Sequence, residues 1–237
     1  MLFRSSDKGV AFINADSPHK YTWEEIAGNR NCILFGENTA VFATNVVEQK
    51  GALQFNLHCD NKITALTLKM IGKHQVENAL AASACATQLG IGINRIKQGL
   101  ELTLPERGRL NLLHCNSFTI LDDSYNANPH SMKAAIDTLS SFSGEKIAVL
   151  GSMVELGDES REFHQKIGDY LRTSSIDKIY TIGNDARHYR GESFNTIELL
   201  YKHLCKHHYS ATILIKGSRI MQLDKLVNIF VKTTNSA

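Results

Sequence analysis

Residues 118–129 read FTILDDSYNANP, and the order of residue types in that stretch decides how the second half of the chain is built. Phe118–Leu121 is a short apolar run of the kind that becomes a buried strand. The turn after it carries two carboxylates (Asp122, Asp123), two amides (Asn126, Asn128) and two hydroxyls (Ser124, Tyr125), and ends at Pro129, which suits a first helical position. A helix cap needs one such residue; a turn with six is read as facing a ligand.

Beyond it the chain alternates. A helix is expected from about Ser131 to Ser141, a strand over Lys146–Leu150, a helix over Ser160–Arg172 and a strand over Lys178–Ile182. A helix over Thr196–His207, a strand over Ala211–Ile215 and a helix over Ile220–Val231 follow. Right-handed crossovers make this series a doubly wound, mainly parallel sheet, whose ligand crevice lies at the carboxyl ends of its strands. The loops after Leu121, Leu150, Ile182 and Ile215 are therefore the ones to search. Gly151–Gly157 (GSMVELG) sets one acid, Glu155, between glycines. Lys216-Gly217-Ser218-Arg219 puts two cations and a hydroxyl where the free N–H groups of a helix start favour an anion.

Upstream the pattern differs. Gly9–Asn14 (GVAFIN) reads as a buried strand with almost nothing before it to cover it; Thr22 is placed to cap a short helix, and Asn31–Phe35 gives another strand. Thr39–Lys69 alternates in the manner of a three-stranded antiparallel meander, broken at Lys50-Gly51 and Cys59–Lys62. Gln75–Leu89 is helical, with Ala79, Ala82, Ala86 and Leu89 on one stripe and Gly90 as its stop, and Asn94–Leu102 forms a second helix. Pro105–Arg109 (PERGR) is a polar linker, the domain boundary is set near residue 118, and Thr233–Ala237 is read as a frayed tail.

Composition narrows the function. A chain of 237 residues with 43% hydrophobic residues can bury a core, which rules out disorder. Lysine plus arginine number 26 against 24 acids, with no basic block, so general nucleic-acid binding is not expected. No apolar run approaches the roughly 18 residues of a membrane helix, and the opening Met-Leu-Phe-Arg-Ser-Ser turns polar too soon for a secretory signal. Cys32, Cys59, Cys85, Cys115 and Cys205 are odd in number and form no CxxC, the pattern of reduced thiols in a cytoplasmic protein. Gly72-Lys73 is followed by His74 and lacks the earlier glycine of a P-loop, and no GxGxxG or GxSxG occurs. His203 and His207 share a helix face but sit in its last turns, where histidine suits the helix dipole.

Taken in order, Gly9–Asp16 (GVAFINAD), Gly72–Ala82 (GKHQVENALAA), Gly108-Arg109-Leu110 and Leu121–Pro129 with Ser131–Ala135 (SMKAA) resemble the Mur ligases of peptidoglycan synthesis. Ala148–Gly157 (AVLGSMVELG) with His164 and Gly168, and Ile213–Arg219 (ILIKGSR), extend the resemblance over nearly the whole chain. DDSYNANP followed by SM is similar to the branch that adds D-alanyl-D-alanine to UDP-N-acetylmuramoyl-tripeptide; folylpolyglutamate synthases share the architecture but not that motif.

The resemblance implies an ATP-dependent amide ligase. ATP phosphorylates a carboxylate, the amine attacks the acyl phosphate and phosphate leaves, with Mg2+ and basic groups offsetting charge on the phosphoryl group. It implies His74 and Asn78 at the adenine, Asp123 at the ribose and Arg109 near the phosphates. Ser124, Asn126, Asn128, Lys216, Ser218 and Arg219 would line the side where the dipeptide docks. Residues 1–117 would be the C-terminal portion of the central ATP-binding domain, with antiparallel strands plus helices. Residues 118–237 would be the Rossmann-like C-terminal domain, which swings in about a hinge at Arg109 and the Asp122-Asp123 turn.

The family's N-terminal substrate domain, P-loop, magnesium-holding acid and carbamylated lysine all precede the point where this chain begins. The resemblance thus implies a C-terminal half, inactive alone, with no catalytic residue or metal ligand of its own. It implies a cytoplasmic monomer that depends on the missing N-terminal segment. Two departures stand out: Gln75 replaces the usual Asn after the histidine, and Ser152 replaces the usual Asp. Two further readings are a noncatalytic nucleotide- or dipeptide-binding module, and one half of a split ligase whose partner chain carries GxxxxGK[ST].

Overall fold

A computed structural model describes Ser6, residues 8–49 and residues 51–234. It divides into two compact units, Met1–Leu104 and Pro105–Ala237.

In the first unit, β1 (Val10–Asn14) pairs in parallel with β2 (Asn31–Phe35), and α1 (Lys20–Ala27) links them. Ala11 and Ile13 alternate inward and bury against Ala27, with Trp23 packed beside them. Thr22 does not cap α1: the helix begins at Lys20 with His19 at the cap position, so Thr22 lies inside the first turn. The expected meander forms from β3 (Val41–Gln49), β4 (Ala52–Cys59) and β5 (Lys62–Leu68) in the order β3-β4-β5. Its second turn is Asp60-Asn61, with φ of 48° and 59°, the left-handed pair a two-residue hairpin needs. Leu53, Phe55 and Leu57 of β4 face α2 (His74–Gln88), and α3 (Ile93–Leu102) packs along β5.

The buried face of α2 is Val76, Ala79, Leu80, Ser83 and Ala84, not the expected alanine stripe; Ala82 and Leu89 are exposed. Alanines supply little contrast around a helix, so the larger Val76 and Leu80 set its rotation.

The second unit holds a six-stranded sheet in the order β10-β9-β8-β11-β7-β6. Its strands are β6 (Asn111–Cys115), β7 (Phe118–Asp123), β8 (Lys146–Gly151), β9 (Lys178–Ile182), β10 (Glu192–Phe194) and β11 (Ala211–Lys216). All neighbours run parallel except β6, which forms an antiparallel hairpin with β7. This pairing places β6 in the second unit, which begins at Pro105, ahead of the boundary expected at 118. The short β10 was not expected; three residues, Glu-Ser-Phe, are too few to show a period.

Helices α4 (Pro129–Ser140) and α5 (Ser160–Thr173) pack together, and α4 also lies on β8 and β11. α6 (Ile197–His207) and α7 (Asp224–Thr234) share a different core with Ile120, Val149, Ile213 and Ile215. The sheet is doubly wound, as its alternating pattern implies. The last helix starts later than expected: Arg219–Met221 is a short 3-10 turn, and left-handed Gln222 (φ 52°) separates it from Asp224. Of the expected frayed tail, residues 235–237 lie outside the described residues, as do residues 1–5 of the opening segment.

Gly168 of α5 passes against the 3-10 turn Asp185–Tyr189, and a Cβ there would stand 2.5 Å from the His188 carbonyl oxygen. Gly168→Ala is expected to lower stability by about 1–3 kcal/mol through that backbone collision, measured as a shifted urea midpoint at unchanged slope.

Candidate functional site

In the sheet of the second unit β11 lies between β8 and β7. The chain leaves β7 toward α4 and leaves β11 toward α7, so the connections diverge to opposite faces at β11, the position where open α/β sheets bind ligands. The loops after β7, β8 and β11 meet there.

Register makes the central contact. Lys216 lies opposite Asp123 across the β11–β7 pair, and its Nζ donates to Asp123 Oδ2 at 2.6 Å and to the Asn126 carbonyl at 2.9 Å. The Lys216 side chain is 2% exposed and that of Asp123 17%. Burial pushes the Lys216 ammonium below its ordinary pKa; Asp123 opposes that shift, and the charge of Arg109 adds to it. Asp122, also buried, accepts from Ser124 Oγ at 2.6 Å and from the Ser124 amide at 3.2 Å.

The other polar residues of the turn divide between structure and surface. Asn128 caps α4: its Oδ1 accepts from the Ser131 amide at 2.8 Å, and Ser131 Oγ accepts from the Asn128 amide in return. Asn126 is exposed, with its Oδ1 taken by the Ala127 amide at 2.9 Å. Tyr125 is exposed, and its amide donates to the Gly108 carbonyl at 3.0 Å. Arg109, next in sequence, lays its guanidinium over the Tyr125 ring at 4.4 Å from the centroid, and Arg219 approaches that ring at 5.8 Å.

Ser218 is fully buried; its Oγ accepts from the Val154 amide at 2.9 Å and its amide donates to the Ser152 carbonyl at 3.1 Å. Ser152 stands where Asp is usual, and its hydroxyl accepts from the Ala186 amide at 3.1 Å, holding the 3-10 turn after β9. A hydroxyl suffices for that bond. Glu155 is exposed, with left-handed backbone at φ 64°. His164 of α5 anchors the same loop, Nε2 accepting from the Met153 amide at 3.0 Å. Gly151 and Gly217 lie back to back: a Cβ on Gly151 would stand 3.2 Å from Gly217 Cα, so side chains are excluded where β8 and β11 end.

In the first unit His74 and Asn78 open α2 four residues apart, which puts them on one face. The Asn78 amide donates to Gln75 Oε1 at 3.0 Å, so the residue that departs from the family pattern is the one that orients Asn78.

The structure thus brings Arg109, Asp123, Asn126, Lys216 and Arg219 of the expected set to one end of one sheet. Ser124, Asn128 and Ser218 belong there too, with their hydroxyl or amide oxygens engaged within the loops. Tyr125 was one of the six polar turn residues but had no role of its own, and His164 appeared only through the resemblance. Residues 108–219 match the Mur ligase, glutamate ligase domain, and residues 1–86 match the Mur ligase middle domain.

The chain belongs to the Mur ligase family.

Among its relatives, the UDP-N-acetylmuramoyl-tripeptide–D-alanyl-D-alanine ligase of Buchnera aphidicola is 33% identical over 97% of this chain and 52% of its own length. The crystal structure of MurF from Acinetobacter baumannii superimposes with a TM-score of 0.86 at 32% identity, covering 95% of this chain and 52% of that one. The MurF ligase from Thermotoga maritima in complex with ADP shares the fold, with a TM-score of 0.86 at 24% identity over 98% of this chain and 55% of that one. The chain spans about half the length of the relatives it matches. Among the described residues no helix is long and apolar enough to cross a membrane.

Proposed function

We propose that these residues form the C-terminal half of an ATP-dependent ligase that joins D-alanyl-D-alanine to UDP-N-acetylmuramoyl-tripeptide. The observation that carries this is the cationic end of the second sheet, where Arg109, Lys216 and Arg219 gather beside the DDSYNANP turn in a chain one-third identical to such a ligase.

ATP, when bound, supplies the phosphoryl group that makes the tripeptide carboxylate reactive. Exposed Arg109 fits its phosphates, with a delocalised fork of N–H donors. Asp123 has one oxygen committed to Lys216 and offers the other to a ribose hydroxyl. Asn78, its amide nitrogen held by Gln75, keeps its carbonyl for the amino edge of adenine, with His74 on the same face. The Asn126 amide faces the dipeptide; Arg219, which the resemblance also sets on that side, shares the Tyr125 ring with Arg109. Ser124, Asn128, Lys216 and Ser218 hold the loops from which those groups project.

Among the described residues no group of three or more His, Cys, Asp or Glu side chains is arranged to hold a metal, and Asp122 and Asp123 are already engaged.

The polypeptide that carries these residues, purified at its native length, is expected to release phosphate from ATP only when both UDP-N-acetylmuramoyl-tripeptide and D-alanyl-D-alanine are present. Equal release with a single amino acid in place of the dipeptide would overturn the assignment.

A further inference from the structure

Tyr125 has no part in the function proposed above, yet it is 44% exposed at the ligand end of the sheet, directly after buried Ser124. Two guanidiniums reach its ring from separate segments: Arg109, just before β6, at 4.4 Å, and Arg219, just after β11, at 5.8 Å. The backbone is shaped for this seat. Gly108 has φ of +75° and accepts the Tyr125 amide at 3.0 Å, and a Cβ on Gly108 would stand 3.0 Å from the Tyr125 nitrogen.

Charge points the same way. Neither arginine has a carboxylate within salt-bridge distance among the described residues, and Lys216 close by is already paired with Asp123. Of the three cations Arg109, Lys216 and Arg219, only Lys216 has a carboxylate partner, Asp123. A guanidinium stacked on a ring keeps its N–H edges in plane and turned outward, where they can form paired bonds to phosphoryl oxygens.

We propose that Tyr125 is a positioning residue whose ring holds Arg109 and Arg219 as one fork for a phosphate-bearing ligand. The identity of that ligand as a nucleotide rests on the ligase reading; the fork itself does not. Aromatic character, not the hydroxyl, is what the arrangement uses, because the attraction is between cation and ring quadrupole.

The probe is inorganic pyrophosphate, titrated by calorimetry into the 237-residue chain, with Arg side-chain Nε–H resonances followed by NMR. Tyr125→Phe is expected to bind pyrophosphate within about twofold of the parent and Tyr125→Leu about tenfold more weakly. In Tyr125→Leu the ring-current displacement of the Arg109 signal disappears while the urea midpoint stays put, since the side chain is on the surface. Unchanged affinity in Tyr125→Leu, or no pyrophosphate binding by the parent chain, overturns the proposal. ADP titrated in parallel separates the two readings. Pyrophosphate binding without ADP binding would sink the nucleotide assignment and support the fork. ADP binding that is indifferent to Tyr125→Leu would sink the fork and leave the assignment standing.

Discussion

Lys216→Met is expected to lower the stability of the chain by about 3–5 kcal/mol at neutral pH, read from urea denaturation, because it breaks a buried ion pair and leaves one charge behind. Lys216 is almost wholly enclosed and donates both to Asp123 and to the Asn126 carbonyl, so the change strands a carboxylate with only 17% side-chain exposure and frees the turn that follows it. If the loss comes from the stranded charge, Asp123→Asn in the same chain should restore much of it, and a double-mutant cycle should show strong coupling. Independent losses that simply add would refute the account.

The pH dependence has a definite sign. The folded-state pKa of Lys216 is depressed, with burial the largest cause, so the folded chain loses this proton below the 10.5 at which the unfolded chain does. Between those two values the unfolded state binds more protons, and stability rises with pH. The penalty for burying the charged form is fully present below the folded pKa and disappears toward 10.5. The gap between parent and Lys216→Met should therefore widen as pH climbs through that window; a gap that narrows would contradict it.

How much of this was legible follows from what each feature depends on. The strand, turn and helix start in residues 118–129 could be read directly, because apolar runs, caps and proline act over a few residues. The doubly wound architecture followed from alternation alone. The pairing of Lys216 with Asp123 did not: its partners are 93 positions apart, and they meet only because β11, the last strand in sequence, inserts between β7 and β8. Alternation does not give strand order. For the same reason six polar residues in one turn looked alike as ligand groups, whereas Ser124 and Asn128 are engaged with Asp122 and Ser131. The late start of α7 was hidden because Gln222 takes a left-handed conformation that its side chain does not announce.

His164→Leu is the second large effect expected, about 3 kcal/mol, and its cause lies wholly inside the fold. The ring is fully buried in α5, stacked on Tyr189 at 5.2 Å, and bonded at both nitrogens: Nδ1–H donates to the Ser160 carbonyl at 2.7 Å and Nε2 accepts from the Met153 amide at 3.0 Å. An amide donor facing Nε2 requires the neutral tautomer with its proton on Nδ1. Leucine fills much of the volume but accepts nothing, so the Met153 N–H is left buried without an acceptor, at about 1–3 kcal/mol, and the bond to Ser160 is lost as well. Tyr189, held far above its ordinary pKa by burial, donates to the Gly151 carbonyl at 3.3 Å and would lose its stacking partner. The loop after β8 is thus fixed from beneath by His164 and Tyr189 and from the side by Ser218. Hydrogen exchange separates this local account from general destabilisation: in His164→Leu the Met153 and Val154 amides should lose protection well beyond the change in global stability. Uniform loss across β7, β8 and β11 would mean that His164 serves only to fill the core.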